Sequence, residues 1–203
     1  MNDIRALNWR FLVPEEPDSL LFLPIGGEAM PGATIPSGDG GLAAAFRRGP
    51  YPAVAAPDLA AWVRDVHAGS AARLLGRLAD AVSPGGWLYA GFPNGLYPGR
   101  PMASESLRLG TAAKILRRRG FTQARAFLPF PDQRCPAYLI SADTRGPLGH
   151  FLARLAFPYS AERHDAEQRQ RRITWMRRVA LASPHSIRVL FAPAVAVFAR
   201  RPG

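Results

Sequence analysis

The side chains that could do chemistry lie in one short loop and at a few isolated positions. Asn94, Tyr97 and Arg100 belong to the segment PNGLYPGRP, which follows the apolar run WLYAGF. Because open α/β sheets bind ligands beyond the carboxyl ends of their strands, all three are candidate substrate contacts, and Tyr97 is also a candidate catalytic group. A turn built from Pro, Asn and Gly for its geometry alone explains the same residues equally well.

Histidine and cysteine offer little further chemistry. The four histidines stand far apart without the spacing of a metal site, so no metal is predicted. Among them, His67 and His150 are candidate catalytic bases, against the commoner role of a surface or packing residue. Cys135 is the only cysteine, which excludes an intrachain disulfide and a thiolate cluster. With no base identifiable beside it, a structural thiol is favoured over a nucleophile.

The charge of the chain is strongly basic and unevenly placed. The 203 residues carry a formal net charge of +11, and the stretch from Arg145 to the end holds eleven arginines against three acidic residues. We expect this basic segment to bind a protein partner or a second copy of the chain. Nucleic acid is disfavoured, because aromatic and basic residues do not interleave along the chain.

No apolar run approaches the roughly 18 residues of a membrane span, so the cytoplasm is the default location.

The pattern of apolar residues predicts alternating strands and helices in a single domain. Short apolar runs that predict buried strands occupy residues 20–25, 51–56 and 87–92. Residues 59–82 predict a helix that is broken near Gly69, and the SPGG motif at 83–86 predicts a turn. A further helix is expected to begin with Ser104 as its N-cap and to end at Gly120.

The last third of the chain predicts more strands around a helical segment. Residues 123–130 and 137–141 predict an antiparallel strand pair joined through PDQRCP. A helical region should follow Arg145. The apolar runs IRVLF and AVAVFA, on either side of Ala192-Pro193, then predict a terminal hairpin.

Three stretches of the chain carry a resemblance to a known family: LADAVSPGGWLYAGF, KILRRRGF and ARAFLPFPDQRCPAYLIS. In this order they resemble the class I S-adenosylmethionine-dependent methyltransferase family, over residues 51–141. The resemblance implies an α/β fold, a reduced Rossmann-like methyltransferase sheet with helices on both faces and a C-terminal helical and hairpin addition. It divides the chain into a methyltransferase-like core with a shortened first half, 1–144, and a basic helical segment with a terminal hairpin, 145–203.

The resemblance implies S-adenosylmethionine as the cofactor, but the first half departs from the family pattern. Family members place an acidic residue and a glycine-rich loop after the first strand, where this chain has LLFLPIGGEAMPGA. The positions that match the cofactor site are Gly26, Gly27 and Glu28 in that loop and Asp58 after the run YPAVAA. The alternative role of Asp58 is a helix N-cap, since Pro-Asp before LAAWV suits a helix start. Residues 27–54 are too few for the family's full set of elements, so one strand–helix unit is expected to be missing or shortened.

The resemblance leaves two functions open. In the first, the chain is a degenerate methyltransferase-family protein in a biosynthetic pathway for a specialised metabolite, as an accessory or scaffold subunit or with a non-standard cofactor site. In the alternative, it is an active S-adenosylmethionine-dependent methyltransferase on a small molecule or a peptide, which works mainly by aligning the reactants. The altered first half favours the first function, and the usual activity of the family favours the second.

Overall fold

A computed structural model describes residues 4–13, 17–26, 30–66, 68–97, 103–130, 132–154 and 189–203, with the single positions 174, 175, 178, 179, 182 and 184. Within them, seven strands are formed: β1 Leu20–Phe22, β2 Ala33–Thr34, β3 Tyr51–Ala56, β4 Val82–Pro93, β5 Gln123–Phe130, β6 Tyr138–Ser141 and β7 Ala194–Arg200. The α-helices are α1 Gly38–Arg48, α2 Leu59–Asp65, α3 Ala71–Asp80, α4 Leu109–Arg118 and α5 Arg145–Arg154. The described residues also form 3-10 helices at Ile4–Leu12 and Val189–Phe191.

The strands form one mixed sheet in the order β2-β1-β3-β4-β7-β5-β6. β2, β1, β3 and β4 run parallel, and β7 runs antiparallel between β4 and β5. β6 is antiparallel to β5 at the edge. This mixed seven-stranded sheet with its helices confirms the α/β class predicted from the sequence.

The helices α1 to α5 all pack against one face of the sheet. The crossovers from β2 to β3, from β3 to β4 and from β4 to β5 all move along the sheet in the same direction. Because such crossovers are right-handed, their helices come to lie on a single side. The larger core cluster accordingly joins residues of every α-helix to alternate strand residues such as Leu21, Val54 and Leu88.

The opposite face carries a smaller aromatic cluster. The N-terminal 3-10 helix places Trp9 against Phe22, Trp87 and Tyr89, with ring centroids 5.9, 5.9 and 5.6 Å away. Two alanines of β3 lie between β1 and β4 on this face, and their small side chains leave room for the indole. Helices therefore lie on both faces as predicted, and on this face the helix is the 3-10 helix Ile4–Leu12.

The first half of the sheet is short. β1 has three residues and β2 has two, whereas β4 has twelve. The described residues between β1 and β2, 23–26 and 30–32, are not helical. The shortening expected for this half therefore takes the form of two short parallel strands whose described connection holds no helix.

Two predicted boundaries are wrong in the middle of the chain. The turn expected at 83–86 is part of β4, which begins at Val82 and follows α3 almost directly. α4 begins at Leu109 rather than after Ser104, because Leu107 is held in a bridge to Asn94 and its N–H donates to the carbonyl oxygen of Pro93. The predicted helix over 59–82 is two helices, α2 and α3, separated near Gly69 as expected.

The predicted C-terminal hairpin is not formed. Within the run IRVLF, the described residues Val189–Phe191 make a 3-10 turn, and AVAVFA belongs to β7. β7 lies inside the sheet and pairs with both β4 and β5. A strand whose residues are apolar on both faces is stabilised in such an interior position. Residues 194–200 therefore belong to the same sheet as the predicted core, across the boundary drawn at residue 144.

Candidate functional site

The predicted site lies at the carboxyl edge of the parallel strands. β1 and β3 are neighbours, yet the chain leaves β1 toward β2 on one side and leaves β3 toward β4 on the other. Such a switch point opens the crevice in which α/β sheets bind their ligands. Pro24, Asp58 and Asn94 follow β1, β3 and β4 at this edge.

Asp58 is fully buried, and each of its carboxylate oxygens has a partner. Oδ1 accepts hydrogen bonds from the backbone N–H of Ala60 at 3.1 Å and from Gln133 Nε2 at 3.0 Å. Oδ2 accepts a hydrogen bond from Arg134 Nε at 2.8 Å, which makes an ion pair. The contact with Ala60 is the helix N-cap that the sequence predicts. A buried carboxylate needs these partners because removing its bare charge from water is costly.

The loop between β5 and β6 supplies both side chains that reach Asp58. Asp132 Oδ1 shapes this loop by accepting hydrogen bonds from the backbone N–H groups of Arg134 and Cys135, at 2.8 and 3.2 Å. The hydrogen bond to Asp58 and the charge of that carboxylate raise the pKa of Arg134, so the guanidinium stays charged. The Arg134 side chain is 48% exposed, so the ion pair is buried only at its acidic end.

Gly91 of β4 makes room for this network. A Cβ atom at this position would overlap the carbonyl oxygen of Pro57 and would lie 3.1 Å from the Cβ of Gln133. Glycine therefore lets the residue before Asp58 and the side chain of Gln133 approach the strand closely. The three elements that meet here are β4, the segment before α2 and the β5–β6 loop. They are distant in the chain, and this contact fixes their relative position.

A side chain of α2 bridges the crevice between β1 and β3. Trp62 is 7% exposed, and its Nε1 donates a hydrogen bond of 2.9 Å to the carbonyl oxygen of Pro24. The indole thereby fastens α2 to the segment that follows β1. The backbone N–H of Leu23 donates to the carbonyl oxygen of Ala55 at 2.8 Å, which continues the strand pairing beyond β1. The switch point is therefore crossed by a side chain of the chain itself.

Asn94 anchors the end of the chain. Its Nδ2 donates to the carbonyl oxygens of Val189 at 3.2 Å and Ala192 at 2.9 Å, and its Oδ1 accepts from the backbone N–H of Leu96 at 3.1 Å. The residue is buried. Both amide hydrogens thus hold the segment that leads into β7. The substrate contact predicted for Asn94 stays a prediction, and it would have to use the second lone pair of Oδ1.

The remaining candidates are more exposed. Tyr97 is partly exposed, and its backbone N–H donates to the carbonyl oxygen of Asn94 at 3.1 Å. Gly26 is exposed after β1, and His150 is exposed on α5. Four predicted residues lie outside the described residues, and their roles stay predictions: Gly27, Glu28, His67 and Arg100.

Three residues complete this site although the sequence did not single them out for it: Trp62, Gln133 and Arg134. Arg134 stands 76 positions from Asp58, and no local pattern links the two. One signal could have found the pair. Placing β5 parallel to β3 puts the residues that follow β5, from Asp132 onward, at the sheet edge where Asp58 stands.

Several features of the described residues at this edge disfavour a conventional S-adenosylmethionine site. Trp62 crosses the crevice, and both oxygens of Asp58 already accept hydrogen bonds. No described residue between β1 and β2 begins a helix whose N-terminus could hold a carboxylate. An acidic residue would be needed to bind the hydroxyls of a ribose, and Asp39, which follows β2, is exposed in the first turn of α1.

The part of the chain that the structure describes shows neither of two other features. It brings together no group of three or more His, Cys, Asp or Glu residues that could hold a metal ion. None of its helices is long and apolar enough to cross a membrane.

Solved structures of similar fold include phosphoethanolamine N-methyltransferase 2 from Haemonchus contortus in two complexes. One, with phosphomonomethylethanolamine and S-adenosylhomocysteine, has 13% sequence identity and a TM-score of 0.46. The other, with S-adenosyl-L-methionine, has 12% identity and a TM-score of 0.47. Each match covers 98% of this chain and 52% of the methyltransferase, so this chain spans about half the length of that enzyme.

A third similar structure is a protein from Bordetella parapertussis described as a possible exported protein. It has 14% identity and a TM-score of 0.42, and the match covers 98% of this chain and 67% of that one. No protein-family model and no curated protein matches the chain. At these identities the likeness concerns the fold alone.

Proposed function

We propose that this chain is a degenerate methyltransferase-like protein that acts as an accessory or scaffold subunit, without a conventional S-adenosylmethionine site. One observation carries the proposal: at the switch point, the buried carboxylate of Asp58 is bound by Ala60, Gln133 and Arg134 of the same chain. A ligand that used this carboxylate would have to share Oδ2 with the charged hydrogen bond of 2.8 Å from Arg134, or displace that bond. Displacing Arg134 would leave the buried carboxylate of Asp58 without its cation, which is unfavourable.

The crevice between β1 and β3 and the connection between β1 and β2 support the same proposal. The indole of Trp62 joins α2 to the carbonyl oxygen of Pro24, where a nucleotide-like ligand would enter between β1 and β3. β1 and β2 are short, and their described connection holds no helix that could face an anionic group. These features favour a retained fold over a retained cofactor site.

We further propose, from the resemblance in sequence, that the protein acts in the biosynthesis of a specialised metabolite. It would work beside an enzyme of that pathway, as the subunit that binds and positions its partner. The alternative, an active methyltransferase on a small molecule or a peptide, requires S-adenosylmethionine to bind. One binding experiment therefore separates the two functions.

The experiment is calorimetric titration of the full chain with S-adenosylmethionine and S-adenosylhomocysteine. We expect no heat of binding at about 1 mM ligand, a concentration that detects affinities down to roughly 4 kcal/mol. A thermal melt in the same buffer shows that the protein is folded. Binding in the micromolar range, with a matching rise in the melting temperature, would replace the proposal by the active enzyme.

A further inference from the structure

Exposed arginines lie beside the aromatic cluster on the sheet face opposite the α-helices. Two neighbouring rows of paired residues cross β4, β7 and β5: first Trp87, Arg200 and Gln123, then Tyr89, Phe198 and Arg125. Residues paired across antiparallel strands project from the same face of a sheet. Both arginines therefore lie on the face that also holds Trp9 and the N-terminal 3-10 helix.

The two arginines are partly held in place but not neutralised. The guanidinium carbon of Arg125 lies 5.3 Å from the ring centroid of Phe127, and Arg200 Nε donates to the carbonyl oxygen of Gly85 at 3.4 Å. Both side chains are exposed. Among the described residues, no carboxylate forms an ion pair with either of them. A guanidinium that is already oriented loses less entropy when it binds a carboxylate.

Phe198 lies between the two arginines. It pairs directly with Arg125 and stands two residues before Arg200 on β7, so the arginines are diagonal neighbours about 7–8 Å apart at the backbone. Its ring is partly exposed and packs 5.8 Å from that of Trp87. Gln123 completes an arginine–aromatic surface that consists of Gln123, Arg125, Phe198 and Arg200. Arginine and aromatic residues are the types that contribute most to protein interfaces.

We propose that the arginine–aromatic surface docks an acidic segment of a protein partner, with carboxylates on Arg125 and Arg200 and an apolar side chain on Phe198. The inference rests on the proposed function, since an accessory subunit acts through a partner. The net charge of +11 complements such a segment. Phe11 is a further exposed apolar residue, 89% exposed on the 3-10 helix that packs against the same face.

An acidic protein fits this surface better than a nucleic acid does. Single-stranded nucleic acid is held by successive aromatic rings that stack on successive bases. Here one ring lies between two guanidinium groups, which present planar forks that match carboxylates.

The test is the binding of a fluorescent acidic peptide, ten residues of alternating Glu and Tyr, to the full chain at about 0.15 M salt. We expect the double variant Arg125→Gln/Arg200→Gln to bind at least tenfold more weakly than the unmodified protein. The matched control is Arg117→Gln/Arg118→Gln, which removes the same charge from exposed residues of α4, on the other side of the sheet. The control should bind as well as the unmodified protein.

Three outcomes overturn the proposal: no binding by the unmodified protein, equal weakening in both double variants, or tighter binding of a twenty-residue oligothymidylate than of the peptide. If circular dichroism shows that the glutamine variant is unfolded, Arg125→Lys/Arg200→Lys replaces it. That variant keeps the charge and should weaken binding severalfold through loss of the guanidinium forks. If both the peptide and S-adenosylmethionine bind, the proposed function alone is overturned. If neither the peptide nor S-adenosylmethionine binds, the docking surface alone is overturned.

Discussion

Polar side chains are buried at two places in the sheet, and the two places differ in the hydrogen-bond partners that the described residues provide. At the carboxyl edge, Asp58 is bound through both oxygens by Ala60, Gln133 and Arg134. On the face beneath the N-terminal 3-10 helix, Trp9 Nε1 and Tyr89 Oη are buried without a hydrogen-bond partner among the described residues. Burial without a partner raises the pKa of the Tyr89 hydroxyl.

The difference follows from charge. An isolated carboxylate cannot be buried at a tolerable free energy, so Asp58 draws together α2, the β5–β6 loop and the close approach at Gly91. A neutral hydroxyl or indole N–H without a partner costs only about 1–3 kcal/mol, which the surrounding aromatic packing offsets. The carboxyl edge therefore fixes the geometry of the fold, whereas the aromatic face tolerates imperfect pairing. Opposite responses to mutation are expected at the two places.

Arg134→Met is expected to have the largest effect. It leaves Asp58 buried without its cation, and we expect the free energy of unfolding to fall by about 3–4 kcal/mol at neutral pH. Urea denaturation followed by tryptophan fluorescence measures the change. Arg117→Met is the matched control, since it removes an equal charge from an exposed position on α4. A difference of less than about 0.5 kcal/mol between the two variants would mean that the ion pair does not organise this edge.

Gly91→Ala should have the next largest effect. The added methyl group would overlap the carbonyl oxygen of Pro57 and press on Gln133, so we expect a loss of about 2–3 kcal/mol. Gly110→Ala in α4 is the control, because a Cβ there meets nothing within 4 Å and alanine favours a helix. Its unfolding free energy should stay equal or rise by up to about 1 kcal/mol. Equal stability of the two variants would contradict the close approach at Gly91.

Trp62→Phe tests the bridge across the crevice. It keeps an aromatic ring but removes the donor to the carbonyl oxygen of Pro24, so we expect a loss of about 1–1.5 kcal/mol. Trp175→Phe should change stability by less than about 0.5 kcal/mol, because Trp175 is 63% exposed. A Trp62→Phe variant as stable as the unmodified protein would show that the hydrogen bond contributes nothing to closing the switch point.

The sequence predicted elements more successfully than it predicted neighbours. The run YPAVAA is strand β3, and the cap at Asp58 forms as predicted, because both depend on a few consecutive residues. The predicted N-cap at Ser104 failed, because the bridge at Leu107 holds the chain extended before α4. A contact with another strand thus outweighed a local preference.

The side chains that bind Asp58 could not be predicted from neighbouring sequence, because they come from another part of the sheet. Gln133 and Arg134 reach Asp58 only because β3 and β5 end at one edge of the sheet. The predicted hairpin failed because the position of β7 depends on the strands that flank it. That strand also places Arg200 near Arg125, although the two arginines are distant along the chain.

Tyr89→Phe is the mutation for which we expect a small gain. It removes a buried hydroxyl that has no partner among the described residues, so the free energy of unfolding should rise by about 1 kcal/mol. Tyr51→Phe makes the same chemical change where the hydroxyl donates to the carbonyl oxygen of Ala45 at 2.9 Å, and it should cost about 1 kcal/mol. A loss in both variants would mean that Tyr89 Oη has a bridging water.

The advantage of Tyr89→Phe should grow in alkali. The pKa of Tyr89 is raised in the folded protein above its ordinary value of 10.0, so above that pH the unfolded chain releases a proton that the folded chain retains. The free energy of unfolding is therefore unaffected by this group below pH 10 and falls as the pH rises further, by up to about 1.4 kcal/mol per pH unit. The phenylalanine variant lacks this loss. Denaturation of both proteins at about pH 9 and pH 11 measures the difference, and an equal decline in the two would place the hydroxyl in contact with solvent.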